Sequence, residues 1–119
     1  MVRSTLALAA VLAVASTSLA ADLVTPPVDA GSNNQIGCRI ANITSNAIPA
    51  QIKLVDGNGT SLVDTGPITV AAGATVAYGV FNPHITVYCR FVNASKSKVR
   101  AALTASNTGN GDTIIVVAQ

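Results

Sequence analysis

The chain has 119 residues, of which 50% are hydrophobic and 10% are charged. This length allows one small domain with a hydrophobic core and excludes a multidomain enzyme. The formal net charge is only +2, which argues against a general nucleic-acid-binding protein.

Residues 1–20 have the pattern of a secretory signal peptide. Arg3 precedes an apolar stretch from Leu6 to Ala15, and small residues follow up to Ala20. Ser16 interrupts the stretch before it reaches the roughly 18 apolar residues that a membrane span needs. We therefore expect cleavage after Ala20, export to the periplasm or the extracellular space, and no transmembrane segment after cleavage.

Residues 21–34 are predicted to form an extended N-terminal arm. Pro26-Pro27 excludes a regular helix, and Gly31-Ser32-Asn33-Asn34 is typical of a loop. A short edge strand is expected at Leu23 to Thr25. The remaining residues, 35–119, form the predicted domain.

From residue 35 onward, short runs rich in Val, Ile and Thr alternate with Gly, Pro, Asn and Asp, which predicts an all-β domain. Asp56-Gly57-Asn58-Gly59 is a strong hairpin signal, because Gly and Asn accept the positive φ angles of such turns. The predicted strands are Gln35 to Thr44, Ala50 to Val55, Ser61 to Asp64, Ile68 to Ala71, Thr75 to Phe81, Ile85 to Val92, Val99 to Ser106, and Thr113 to Ala118.

Alternation along four of these strands predicts which side chains face the core. The predicted core residues are Ile36, Cys38, Ile40, Ile52, Leu54, Val87, Cys89, Phe91, Val99, Ala101 and Leu103.

The terminal run from Ile114 to Ala118 is uncharged and strongly favours a strand. At a sheet edge such a run would pair with a neighbouring molecule. We expect a buried closing strand instead.

Cys38 and Cys89 are the two cysteines of the chain, and both fall on predicted core faces. In an exported protein an even pair predicts one disulfide. A redox or metal pair is the alternative, but the chain has no Cys-x-x-Cys and a single His. Closing a loop of about 50 residues contributes about 4 kcal/mol in the chain-entropy model.

Seven or eight short strands with a bridge between core-facing cysteines predict an immunoglobulin-like antiparallel β-sandwich with one disulfide. The chain has no Trp to pack on the bridge, and Val87 stands where the corner tyrosine is expected. We therefore predict a sandwich of that general kind and not a true immunoglobulin domain.

A resemblance covers nearly all of the chain after the predicted signal peptide. Its motifs are Thr25-Pro26-Pro27, Cys38 followed by Asn42, Asp56-Gly57-Asn58-Gly59, Tyr88-Cys89-Arg90-Phe91, Ser95-Lys96 leading to Val99-Arg100-Ala101, and Ala118-Gln119. In these motifs the chain resembles a group of small secreted bacterial proteins of unassigned function. The resemblance implies export, a single β domain and a disulfide, and it carries no catalytic residue across.

Few residues in the chain point to catalysis. His84, the sole imidazole, follows Asn82-Pro83 in a turn, and no Gly-x-Ser-x-Gly motif is present. The chain has no Glu, and its five Asp fall mostly in the arm or in turns, which does not suit paired-carboxylate catalysis. Asp56-Gly57-Asn58 lacks the remaining oxygen ligands of a calcium loop. We expect no enzyme activity, no cofactor and no metal site.

Four basic residues, Arg90, Lys96, Lys98 and Arg100, lie close together with no acidic residue between them. If Cys89 pairs with Ala101 across a hairpin, Arg90 and Arg100 stand opposite each other on the outer face. Like charges in that position are destabilising, so this basic hairpin predicts an anionic partner, such as lipopolysaccharide or another phosphate-bearing surface. Alternatively, the charges keep strand edges soluble.

Three N-glycosylation sequons occur, Asn42-Ile43-Thr44, Asn58-Gly59-Thr60 and Asn93-Ala94-Ser95. They matter only in a eukaryotic secretory pathway. Given the bacterial resemblance, we interpret them as chance.

These observations predict an exported, non-catalytic β-sandwich that serves as a binding or structural module of the cell envelope or extracellular space. Polyanion binding through the basic hairpin is one alternative. A small hydrolase that uses His84 is the other.

Overall fold

The computed structural model describes residues 22–31, 33–81 and 83–119. The predicted signal peptide lies outside these residues. Their secondary structure consists of ten β-strands and no helix. The strands are β1 (Leu23–Val24), β2 (Val28–Asp29), β3 (Gln35–Asn42), β4 (Ile48–Asp56), β5 (Ser61–Asp64), β6 (Ile68–Val70), β7 (Thr75–Phe81), β8 (Thr86–Val92), β9 (Val99–Ser106) and β10 (Thr113–Val117).

The strands form two antiparallel sheets. The first sheet has the order β1-β8-β4-β5, with β2 also paired to β8 and β6 to β4. The second sheet has the order β10-β9-β3-β7. The predicted all-β sandwich is confirmed. All eight predicted strands of residues 35–119 are present, and their ends differ by about two residues at most, the usual uncertainty of such boundaries.

The core lies between the sheets and is built from the alternating side chains that the sequence predicted. Every predicted core residue is buried, and Phe91 is the largest of those that are fully buried. The predicted disulfide is also present. It joins Cys38 in β3 to Cys89 in β8, with a Cα–Cα distance of 5.7 Å, and so links one sheet to the other across the core.

The N-terminal arm belongs to the first sheet. Its strands β1 and β2 pair with β8, and Leu23 and Ala30 are buried. Thr25 is 2% exposed and pairs with a disulfide cysteine: its N–H donates to the Cys89 carbonyl at 3.0 Å, and its Oγ1 accepts the Cys89 N–H at 2.9 Å. The arm therefore occupies one edge of β8.

This position of the arm overturns the predicted basic hairpin. Cys89 pairs with Leu54 in β4, and Ala101 pairs with Ile40 in β3, so Cys89 and Ala101 lie in different sheets. In the immunoglobulin pattern the last strand lies beside the strand that carries the second cysteine. Here the arm fills that place, and β9 crosses to the second sheet.

The prediction for the terminal run is wrong as well. β10 is an edge strand of the second sheet, and Ile114, Ile115 and Val117 are 48%, 66% and 61% exposed. Among the described residues β10 pairs only with β9, whose other side is already taken by β3. The strand is therefore covered on one edge and open on the other.

Asn42 is a polar side chain in the core, with only 1% of it exposed. Its Nδ2 donates to the carbonyls of Asn46 at 2.7 Å, Val70 at 3.1 Å and Ala71 at 3.2 Å. Its Oδ1 accepts the N–H of Thr44 at 2.9 Å and the Thr44 hydroxyl at 2.7 Å. These bonds tie the turn after β3 to β6, so this Asn-x-Thr sequence has a structural role.

We expect Asn42→Asp to destabilise the domain by about 2–3 kcal/mol, because a carboxylate would face carbonyl oxygens in the core. Urea unfolding measures the loss. Asn58→Asp, in the exposed turn of another sequon, is the matched control and should change stability by about 0.5 kcal/mol or less. Equal losses in the two variants would contradict a structural role for Asn42.

Candidate functional site

The structure divides the four basic residues of the predicted hairpin between two sheets. Arg90 lies in β8 of the first sheet, and Arg100 lies in β9 of the second. Lys96 and Lys98 are exposed in the segment that crosses between them. Arg90 and Arg100 therefore do not share a face.

Arg90 forms an ion pair with the N-terminal arm. Its Nη2 and Nε lie 2.6 Å and 2.8 Å from Asp22 Oδ2, and the backbone N–H of Asn93 donates to Asp22 Oδ1 at 3.1 Å. The hydrogen bond from Arg90, and next the one from Asn93, hold the pKa of Asp22 below its ordinary value. The charge of Arg90 is thus matched by a carboxylate.

Lys53, which stands opposite Arg90 in β4, also faces a carboxylate. Its Nζ lies 3.8 Å from Asp64 Oδ2. The side chain of Gln51 and the backbone N–H of Gly66 donate to Asp64 Oδ1, and these bonds lower the pKa of Asp64. Both cations on the outer face of the first sheet are therefore compensated.

The outer face of the second sheet carries two arginines, Arg39 in β3 and Arg100 in β9. Arg100 pairs with Ala41, so Arg39 is its diagonal neighbour on the same face, at a typical Cβ separation of about 7–8 Å. Within the described residues, no carboxylate lies within ion-pair distance of either arginine. We call this surface the arginine face.

Arg100 is held over the segment that carries the two lysines. Its Nη1 donates to the carbonyl of Lys96 at 2.6 Å and to that of Val99 at 3.0 Å. These bonds fix the guanidinium at one end of the arginine face, beside Lys96 and Lys98.

Sequence reasoning missed Arg39. Alternation along β3 places Arg39 on the outward side with Gly37 and Ala41, and that signal was readable. The pairing of β3 with β9 could not be predicted from the sequence, because it depends on which strand fills the edge of β8.

A depression of about 270 Å³ lies on the outer face of the second sheet next to Arg39. Gly37 and Gly79 face each other across β3 and β7 at this depression. Phe81, which is 74% exposed, lies at its far side. The rest of its lining includes Gln35, Ala77, Thr104 and Ser106.

The two glycines of the depression have different roles. A Cβ on Gly79 would overlap with the carbonyl oxygen of Ile36 and lie 2.8 Å from the Cα of Gly37, so the backbone approach requires glycine. A Cβ on Gly37 would meet Thr104 Oγ1 at 3.6 Å, which is an ordinary contact. Gly37 therefore leaves space above the sheet without being required by the backbone.

His84 lies in the exposed loop after β7, at a positive φ of 50°. Its Nδ1 is 3.2 Å from the carbonyl oxygen of Gly31. This contact joins two loops and includes no nucleophilic side chain, so it gives the hydrolase alternative no support.

Comparison with known proteins adds information on the fold alone. No family model matches the chain, and no curated protein matches its sequence. Its structure is similar to the crystal structure of Thermotoga maritima 1070, with a TM-score of 0.58 and 8% sequence identity over 84% of this chain and 93% of that one. The resemblance to small secreted bacterial proteins stays a prediction.

The described part of the chain has no helix long and apolar enough to cross a membrane.

We expect Gly79→Ala to lower the free energy of unfolding by about 2 kcal/mol or more, since the added methyl forces the backbone of β3 and β7 apart. Gly37→Ala is the control in the facing residue and should leave stability within about 1 kcal/mol of wild type. Urea unfolding of both variants measures the difference. If Gly79→Ala is as stable as Gly37→Ala, the backbone at Gly79 does not approach the Ile36 carbonyl as closely as the structure indicates.

The Asp22–Arg90 pair should make stability depend on pH. Because the pKa of Asp22 is lower in the folded than in the unfolded chain, its carboxylate stabilises the fold above its ordinary pKa of 3.8, and this contribution is lost as pH falls through the lowered value. Asp22→Asn should therefore be destabilised near neutral pH and approach wild type at about pH 2.

Urea unfolding at both pH values measures this effect. Asp112→Asn is the control, because it removes a carboxylate that forms no ion pair with any described residue. If Asp22→Asn lowers the free energy of unfolding by the same amount at both pH values, the lost ion pair is not the cause of the destabilisation.

Proposed function

We propose that this protein is an exported, non-catalytic binding module of the cell envelope or extracellular space, and that its arginine face binds a phosphate-bearing surface. The observation that carries this proposal is that the cations on the two sheets differ in whether a carboxylate lies beside them. On the first sheet Lys53 and Arg90 each face a carboxylate. On the second sheet, Arg39 and Arg100 face none among the described residues.

The chemistry of the arginine face suits phosphate. A guanidinium donates two parallel hydrogen bonds to phosphate oxygens and stays charged at any physiological pH. Between Arg39 and Arg100 the sheet presents Ala41 and Ala102, whose small side chains leave the guanidinium groups as the most prominent contacts. Arg100 is already held by its two carbonyl bonds, which reduces the conformational entropy lost on binding.

The shape of the surface favours an extended partner. The outer face is an open sheet, and its depression next to Arg39 holds about 270 Å³, slightly below the roughly 300–1,000 Å³ of typical small-molecule pockets. Lys96 and Lys98 continue the positive charge beyond the end of β9. Anionic headgroups at the surface of a bilayer present phosphates over a comparable area, so we take an anionic lipid surface as the partner. Export is supported by the disulfide and by the signal-like sequence of residues 1–20.

Vesicle binding tests the proposal with two double variants that remove the same number of charges. Arg39→Gln with Arg100→Gln removes the unpaired cations, and Lys53→Gln with Arg90→Gln removes the paired ones. With vesicles of phosphatidylglycerol and phosphatidylcholine, the first variant should bind about 30-fold more weakly than wild type, because each arginine contributes about 1 kcal/mol to the free energy of binding. The second should bind within about threefold of wild type, because its carboxylates already offset those charges.

The same binding assay is repeated at different NaCl concentrations and with vesicles that lack the anionic lipid. Wild-type binding should weaken steeply from low to high NaCl, since exposed charges are screened, and it should vanish on pure phosphatidylcholine. Three outcomes would overturn the proposal: no binding to the anionic vesicles, binding that does not respond to salt, or equal losses in the two double variants.

A further inference from the structure

The last strand, β10, presents unused backbone groups at the open edge of the second sheet. In an antiparallel pair, residues that exchange hydrogen bonds with the neighbouring strand alternate with residues that do not. Ala118 donates to Ala101 at 2.9 Å, and Asn107 donates to Asp112 at 2.8 Å, so the even-numbered positions bond to β9. The N–H and C=O groups of Thr113, Ile115 and Val117 therefore point away from the sheet.

Natural sheet edges usually carry devices that prevent pairing with other strands, such as charges, prolines, bulges and irregular backbone. The first sheet has them at both edges. Its β5 edge ends in the charged Asp64 and pairs with β4 through a register shift. On the other edge, Pro26-Pro27 separates β1 from β2, and Val24 exchanges two backbone hydrogen bonds with Gln119.

The two edges of the second sheet differ from each other. At β7, which also pairs in unbroken register with β3, Gly79 lies in the middle of the strand, where it offers no side chain to pack against a facing strand. At β10, the five residues pair with β9 in unbroken register and include no charge and no proline. Of the described edge strands longer than three residues, β10 is the one made entirely of β-branched residues, which favour strand pairing.

We propose that β10 pairs antiparallel with β10 of a second copy of this chain, around a two-fold axis at Ile115. In this register Ile115 faces its own counterpart, and Thr113 faces Val117 of the second copy. Each of these pairs exchanges two hydrogen bonds, so every outward backbone group of both strands is used.

The side chains of β10 suit pairing with themselves. Ile115 and Val117 are 66% and 61% exposed, and both are covered by the facing strand in this register. The strand is uncharged, so antiparallel self-pairing places no like charges opposite each other. The two copies of Asp112 lie beyond the paired segment at opposite ends, about 20 Å apart along the strands.

Sedimentation velocity on the oxidised protein, expressed from the full chain, tests the pairing over a concentration series. Wild type should form dimers. Ile115→Lys should raise the dimer dissociation constant about tenfold or more, because the two lysines oppose each other directly. Ile43→Lys adds the same charge at an isoleucine that is 49% exposed and lies off this edge, and it should leave dimerisation unchanged.

A cysteine variant tests the register and does not depend on the folding of Ile115→Lys. Residues in a hydrogen-bonded antiparallel pair have Cα atoms about 5.5 Å apart, which suits a disulfide. Ile115→Cys should therefore form a covalent dimer under oxidising conditions, whereas Ile43→Cys should not. A wild-type monomer throughout the series, growth beyond the dimer through other edges, or absence of the Ile115→Cys cross-link would overturn the proposal.

Discussion

The disulfide between Cys38 and Cys89 is the constraint on which the arrangement of both sheets depends. It joins β3, which lies between β9 and β7, to β8, which lies between β4 and the arm. In the chain-entropy model such a bridge supplies about 4 kcal/mol, a large share of the roughly 5–15 kcal/mol typical of a domain. Since Cys38 points inward, its neighbour Arg39 must point outward. The same bond that holds the core therefore sets the face on which Arg39 stands.

The arm decides how the remaining charges are distributed. Thr25 pairs with Cys89, and Asp22 binds Arg90, so the arm fills the edge of β8 with backbone bonds and an ion pair. With that edge taken, β9 pairs with β3 in the other sheet. One consequence is that Arg90 is neutralised on the first sheet. The other is that Arg100 joins Arg39 on the second.

Local structure was readable from the sequence because strand alternation and turn residues are local signals. The strands, the core faces of Cys38 and Cys89 and their disulfide were all predicted on that basis. The sheet to which β9 belongs was not, since β9 and the extended arm can each form a strand at the same edge of β8. This competition explains why Arg90 was placed opposite Arg100, which lies in the other sheet, and why Arg39 was missed. It also explains why β10, which follows β9, was expected in the core and lies at an edge.

Pairing through β10 would have a consequence for binding at the arginine face. A two-fold axis between antiparallel edge strands runs perpendicular to the sheet, so the two copies present their outer faces on the same side. Arg39 and Arg100 of one copy supply only about 2 kcal/mol against an anionic surface, a weak contact alone. Once one copy is bound, the second is held close to the same surface, and its contacts form at a high effective concentration. Pairing through β10 and binding through the arginine face would together give a bivalent surface.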